Sequence, residues 1–143
     1  MVETRAKVAL ETVSGTGLRF VASNDAGLAF ALDSGPAATA PSATVALLAA
    51  LGGCAGMDVI AILRKKRQRV TGYAIELIGQ RREEHPRAYT AIEVVHRVRG
   101  VDLSPSAVEE AIRLSDTKYC SIHATLSPGV AITSRFEIIA DEA

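Results

Sequence analysis

Between residues 4 and 13 polar and apolar side chains alternate. Arg5, Lys7 and Glu11 fall on one side and Ala6, Val8 and Leu10 on the other, the period-two signature of a strand with one covered face. Ser14, Gly15 and Gly17 then lead into an apolar run at 18–22, and Asn24, Asp25 and Gly27 lead into another at 28–32. Three strands joined by tight turns follow from that spacing. Arg19 falls in the second of them.

Residues 34–42 concentrate small residues and proline and predict a surface connection, with Pro41 near the first turn of a helix. The segment 43–63 is apolar almost all the way round, broken only by Thr44, Gly52, Gly53, Gly56 and Asp58, and it runs into the basic stretch 64–69. A helix without a polar face must be enclosed. Its length also suits a bilayer core, about 30 Å at 1.5 Å per residue. An aspartate at membrane depth costs several kcal/mol, however, and the flanking amphipathic strands need something to cover. A central helix buried by sheets meets both requirements, so no membrane partner is expected.

Alternation returns at 73–80 and 89–99, two strands of a hairpin joined by Arg81-Arg82-Glu83-Glu84-His85-Pro86-Arg87, with Ile92, Val94 and Val98 on the core side. Ser104 and Pro105 predict a cap and first position of a second helix, Leu103 is placed to staple against Val108, and Glu109 pairs with Arg113 on its wet face. Val108, Ala111 and Ile112 point inward. This helix runs toward Tyr119, residues 120–126 form a short helical or looped piece, and 130–139 make a last strand with Val130, Ile132, Phe136 and Ile138 on one side. The order is that of an α+β fold with mainly antiparallel pairing and no internal repeat.

Composition narrows the functional classes. The 143 residues suit a single domain spanning 1–143. Lys plus Arg balance Asp plus Glu at 16 each, so no net field recruits nucleic acid, and three Phe, three Tyr and no Trp give little platform for stacked bases. The basic run 64–69 complements a helix C-terminus without needing a nucleic-acid partner. The N-terminal residues carry charge where an export segment is apolar, and a cytoplasmic location is the expectation. His85 and His96 have no second ligand at metal spacing, so neither a metal nor a cofactor is predicted. Two cysteines, Cys54 and Cys120, lie far apart in sequence. Asp58, one helical turn beyond Cys54, shares its face and orders the helix or a neighbouring arginine. His123, three residues past Cys120, is a candidate base that reads more simply as structural. Gly52, Gly53 and Gly56 mark a close helix approach at a dimer axis or room for a substrate.

Two blocks carry a resemblance. Ala49-Ala50-Leu51-Gly52-Gly53-Cys54-Ala55-Gly56-Met57-Asp58-Val59 and Leu114-Ser115-Asp116-Thr117-Lys118-Tyr119-Cys120-Ser121-Ile122 resemble the two cysteine signatures of the OsmC/Ohr family. The second block and the turn at 81–87 are similar to its YhfA-like branch. The resemblance implies an intertwined homodimer in which antiparallel sheets wrap long central helices. It implies a thiol peroxidase in which Cys54 attacks an organic hydroperoxide, or hydrogen peroxide, and Cys120 resolves the sulfenic acid as a disulfide. An external dithiol then restores the pair. Arg19 is the arginine that this likeness assigns to the reacting thiol. Many family members orient that arginine with a glutamate near the start of the central helix. Here Ala43 or Val45 stands at that position, and no acidic residue lies between Pro41 and Cys54. The departure keeps a second reading open, a non-enzymatic relative binding a small apolar or oxidised ligand at the dimer interface.

Overall fold

The N-terminal alternation produces three short antiparallel strands, β1 (Lys7–Leu10), β2 (Phe20–Ser23) and β3 (Ala29–Leu32), in the order β1-β2-β3. In this computed structural model, which describes residues 1–142, the first strand is shorter than the 4–13 pattern predicts. The Glu11 N–H extends its ladder, reaching the Arg19 carbonyl at 2.9 Å. The turn after β2 closes on the Asn24 side chain, which accepts from the Ala26 and Leu28 N–H groups at 3.0 Å each. Gly27, at φ 79°, supplies the left-handed step. These strands and the following connection form one compact unit, residues 1–47.

Helix α1 (Ala43–Lys65) starts where Ser42 Oγ accepts from the Val45 N–H at 3.3 Å. It ends where Arg67 turns to φ 57° and the Gln68 N–H reaches back to the Leu63 carbonyl. From residue 48 onward the chain forms a second unit. After most of α1 it contains β4 (Arg69–Arg81), β5 (Tyr89–Val101), α2 (Pro105–Leu114), a π-helical turn (Ser115–Tyr119), α3 (Ser121–Leu126) and β6 (Ala131–Ala140). Its sheet has the order β4-β5-β6. The hairpin is antiparallel as predicted, and longer at its open end.

The last strand departs from the antiparallel expectation, because β6 runs parallel to β5, from Ala91 opposite Ala131 to Gly100 opposite Ala140. Three helical segments lie between these strands. They form a crossover that returns the chain to the end where β5 began, the connection that a parallel pair needs.

Leu51, Ala55, Val59 and Leu63, spaced four apart, make the buried stripe of α1. Val59 and Leu63 join Val98, Val108, Ala111 and Ile112 in one core cluster, while Leu51 and Ala55 join Ile92, Val94 and Cys120 in another. Each fully buried aliphatic side chain contributes about 1.5–3 kcal/mol. One three-stranded sheet covers only one side of the helix. Met57 remains 74% exposed, so the sheet of this unit does not by itself supply the enclosure that the apolar helix predicts. Gly52 and Gly56 face β4 of the same chain: a Cβ on Gly52 would lie 2.5 Å from Leu77 Cδ1, and one on Gly56 3.0 Å from Ile75 Cδ1. Close approach is therefore what these two glycines permit, between helix and strand. A Cβ on Gly53 would meet nothing within 4 Å.

Candidate functional site

Cys54 and Asp58, one turn apart on α1, occupy the helix face next to the buried stripe, and both are half-buried. Cys120 arrives from the far end of the chain and is only 3% exposed. It ends the π-helical turn, donating its N–H to the Ser115 carbonyl at 2.9 Å, and it caps α3, where its sulfur accepts from the His123 N–H at 3.3 Å. Its apolar surroundings are Leu51, Ala55, Ile92 and Val94. The two sulfurs and a carboxylate oxygen of Asp58 all lie within 4.8 Å of one another, and both cysteines are free thiols. Ser115, 1% exposed, donates its hydroxyl to Asp58 Oδ2 at 3.0 Å, which fastens the carboxylate in place.

Burial pushes the Cys120 thiol up to about 11. The His123 N–H works against that shift and the adjoining Cys54 thiol adds to it. His123 thus acts on the sulfur through its backbone.

The third expected site residue, Arg19, belongs to the N-terminal unit. Its Nη1 donates to Thr39 Oγ1 at 2.6 Å and its Nε pairs with Glu11 at 3.2 Å. Thr39 is itself held by Asp33, which accepts from its N–H at 3.0 Å, from the Ser34 N–H at 2.8 Å and from the Thr16 hydroxyl at 2.6 Å. These donors, Thr16 first, keep the Asp33 carboxyl below the usual carboxylate range. Glu11 and Thr39 are the groups that orient this guanidinium in a chain without the helix-start glutamate.

Sequence reasoning passed over a buried polar pair. His96 is fully buried on β5, and its Nδ1 lies 2.6 Å from the Tyr73 hydroxyl, with the two rings stacked at 5.9 Å. Among the described residues its Nε2 has no hydrogen-bond partner. Burial lowers the His96 pKa and raises that of Tyr73, with Asp116 opposing the first shift and reinforcing the second. The signal was present: His96 continues the alternation of Ile92, Val94 and Val98 and therefore points inward. An apolar cavity of about 520 Å³ runs beside this region, between Gly52, Gly53, Gly56 and Met57 on α1 and Tyr73, Ile75 and Leu77 on β4.

A long helix packed on a mixed sheet, with two cysteines from distant parts of the chain meeting at the helix face, defines an α+β protein of the OsmC-like class. The chain belongs to that family: the model for OsmC-like protein matches residues 35–135. It is 40% identical over 124 residues to Protein YhfA of Escherichia coli (strain K12), a match covering 87% of this chain and 92% of that protein. Among solved structures it is similar to an OsmC-like protein from Mycoplasma pneumoniae (TM-score 0.80, 16% identity, 96% of this chain and 98% of that one). It is also similar to the organic hydroperoxide resistance protein OhrB of Bacillus subtilis (TM-score 0.61, 16% identity, 93% and 98%). At these identities the two structures speak to the fold.

Proposed function

We propose that the protein is a cysteine-based peroxidase that reduces organic hydroperoxides, or hydrogen peroxide, through Cys54 and Cys120. The observation that carries the reading is the meeting of two free thiols, one half-buried and one buried, within 4.8 Å. The Cys54 thiolate attacks one peroxide oxygen, the O–O bond breaks, and the alkoxide leaves as the alcohol after taking a proton. Cys54 is then a sulfenic acid. The Cys120 sulfur attacks it, water leaves, and a disulfide forms as the sulfur separation closes to about 2.05 Å. An external dithiol reduces that disulfide by exchange and becomes a disulfide itself. The net change is hydroperoxide plus dithiol to alcohol, water and disulfide.

The apolar cavity beside Gly53 and Met57 suits the hydrocarbon part of an organic hydroperoxide. A second copy of the chain covers the exposed apolar side of α1, a homodimer in the reducing cytoplasm. Arg19 serves as the activating cation, oriented by Glu11 and Thr39. In the test, reduced protein receives cumene hydroperoxide and a dithiol, and alcohol formation is followed for wild type, Cys54→Ser, Cys120→Ser and Arg19→Ala. Turnover surviving in Cys54→Ser would falsify the assignment.

A second reading has its own observation. The Asp58 carboxylate stands beside both sulfurs, and the helix-start glutamate that would orient an activating arginine is missing. On this reading the protein binds a small apolar or oxidised ligand at the dimer interface without turning it over. Binding of hydroperoxide-derived alcohols with no thiol loss would favour it.

A further inference from the structure

The Asp58 carboxylate beside two sulfurs is a fitting neighbour for a cation. We infer that Cys54, Asp58 and Cys120 together form a site for a thiophilic divalent cation, zinc above all, in the reduced protein.

The donor set is two sulfurs and one carboxylate oxygen within 4.8 Å of each other. Around a tetrahedral zinc, with Zn–S near 2.3 Å and Zn–O near 2.0–2.2 Å, neighbouring donors sit about 3.5–3.8 Å apart. Closing the site therefore takes movements of about 1 Å. Two of the donors share one face of a single helix, one turn apart. The third is fixed by the hydrogen bonds at both ends of its residue, Cys120 N–H to Ser115 and His123 N–H to the sulfur. The Ser115 hydroxyl holds Asp58 Oδ2 at 3.0 Å, the kind of outer contact that orients a ligating carboxylate.

Charge decides which ion this is. Thiolates select zinc or copper(I) over magnesium and calcium. Binding displaces one proton from each thiol to solvent, so two thiolates and one carboxylate surround the ion, and a water completes the fourth position. Asp58 borders a cavity of about 460 Å³ shared with Leu114 and Tyr119, which gives the ion a way in; Lys65 and Lys66 also line it, and Glu110 pairs with Lys66 at 2.7 Å. Oxidation to the disulfide removes both sulfur donors, so the site exists only in the reduced state.

The inference uses the same thiols as the peroxidase reading and does not depend on it. Reduced, metal-free protein is titrated with Co²⁺ and with Zn²⁺ against a chromophoric chelator, and proton release is recorded in dilute buffer. The expected results are a thiolate-to-cobalt charge-transfer band at one ion per chain and release of up to two protons. Cys54→Ser, Cys120→Ser and the oxidised protein lose the band. Asp58→Asn keeps an acceptor for Ser115, so its metal-free melting temperature stays near that of wild type while its affinity falls at least about tenfold. Absence of the band, or equal affinity in Asp58→Asn, overturns the site. A protein that turns over hydroperoxide without the band loses the cation and keeps the enzyme, and the opposite pattern does the reverse.

Discussion

Tyr73 Oη and His96 Nδ1 lie 2.6 Å apart, and His96 stands on β5 between Val94 of one core cluster and Val98 of the other. The pair is a polar joint in an otherwise aliphatic sheet face. It keeps the imidazole neutral, because burial holds its pKa below the ordinary 6.5. The unfolded chain then takes up a proton near pH 6.5 that the folded chain refuses. Stability from this group is complete above that pH and is lost as pH falls below it, with a slope of at most about 1.4 kcal/mol per pH unit. Denaturant unfolding of wild type and His96→Gln between pH 8 and 5 checks this. An equal slope in the variant sinks it. Carboxylates held low, such as Asp33, Glu110 and Asp141, enter only at more acidic pH.

On the proposed peroxidase chemistry, the unequal exposure of the two thiols predicts the order of their oxidation. One equivalent of hydroperoxide added to Cys120→Ser is expected to stop at a sulfenic acid on Cys54, trapped by dimedone and seen by intact mass. Cys54→Ser, left with the buried sulfur, is expected to give less than a tenth of that adduct. Equal labelling of the two variants reverses the assigned roles.

Gly100 tests the sheet. A Cβ there would lie 2.3 Å from the Arg69 carbonyl oxygen and 2.8 Å from Leu103, and a backbone atom cannot step aside cheaply. Gly100→Ala is expected to cost about 1–3 kcal/mol in denaturant unfolding. Gly52→Ala meets the end of a flexible Leu77 side chain and is expected to cost less than half as much. The reverse ranking would mean that the β4–β5 register is wrong at its open end.

Met57, 74% exposed in the middle of an apolar helix, is expected to be covered by the second copy. Met57→Glu should raise the dimer dissociation constant at least tenfold, since it places a charge against an apolar interface. Sedimentation equilibrium measures it directly. An unchanged constant moves the interface elsewhere.

Much of this architecture is written locally in the chain. The Ser104 cap with Pro105 at the first helical position is a short-range pattern, and it occurs where it was read. The direction of β6 is not local, because it depends on how many elements intervene before the chain returns. The start of β4 at Arg69 was hidden by the basic run, which reads as the end of the helix. Residue types marked Cys54 and Cys120 and the family likeness paired them. Neither discloses Ser115 holding Asp58, since that contact spans α1 and the π-helical turn. Arg19's partners, Glu11 and Thr39, likewise come from separate turns of the N-terminal unit.

The winding between Ser115 and Cys120 has a further consequence. In a regular α-helix, at about 100° per residue, positions five apart point some 140° away from each other. The wide turn, closed by the Cys120 N–H on the Ser115 carbonyl, brings them back toward a common side. One residue therefore clasps the Asp58 carboxylate while the other offers its sulfur to Cys54. Removing a single residue such as Thr117 would tighten the coil and swing the second thiol out of reach, leaving both cysteines in the chain and no partnership between them.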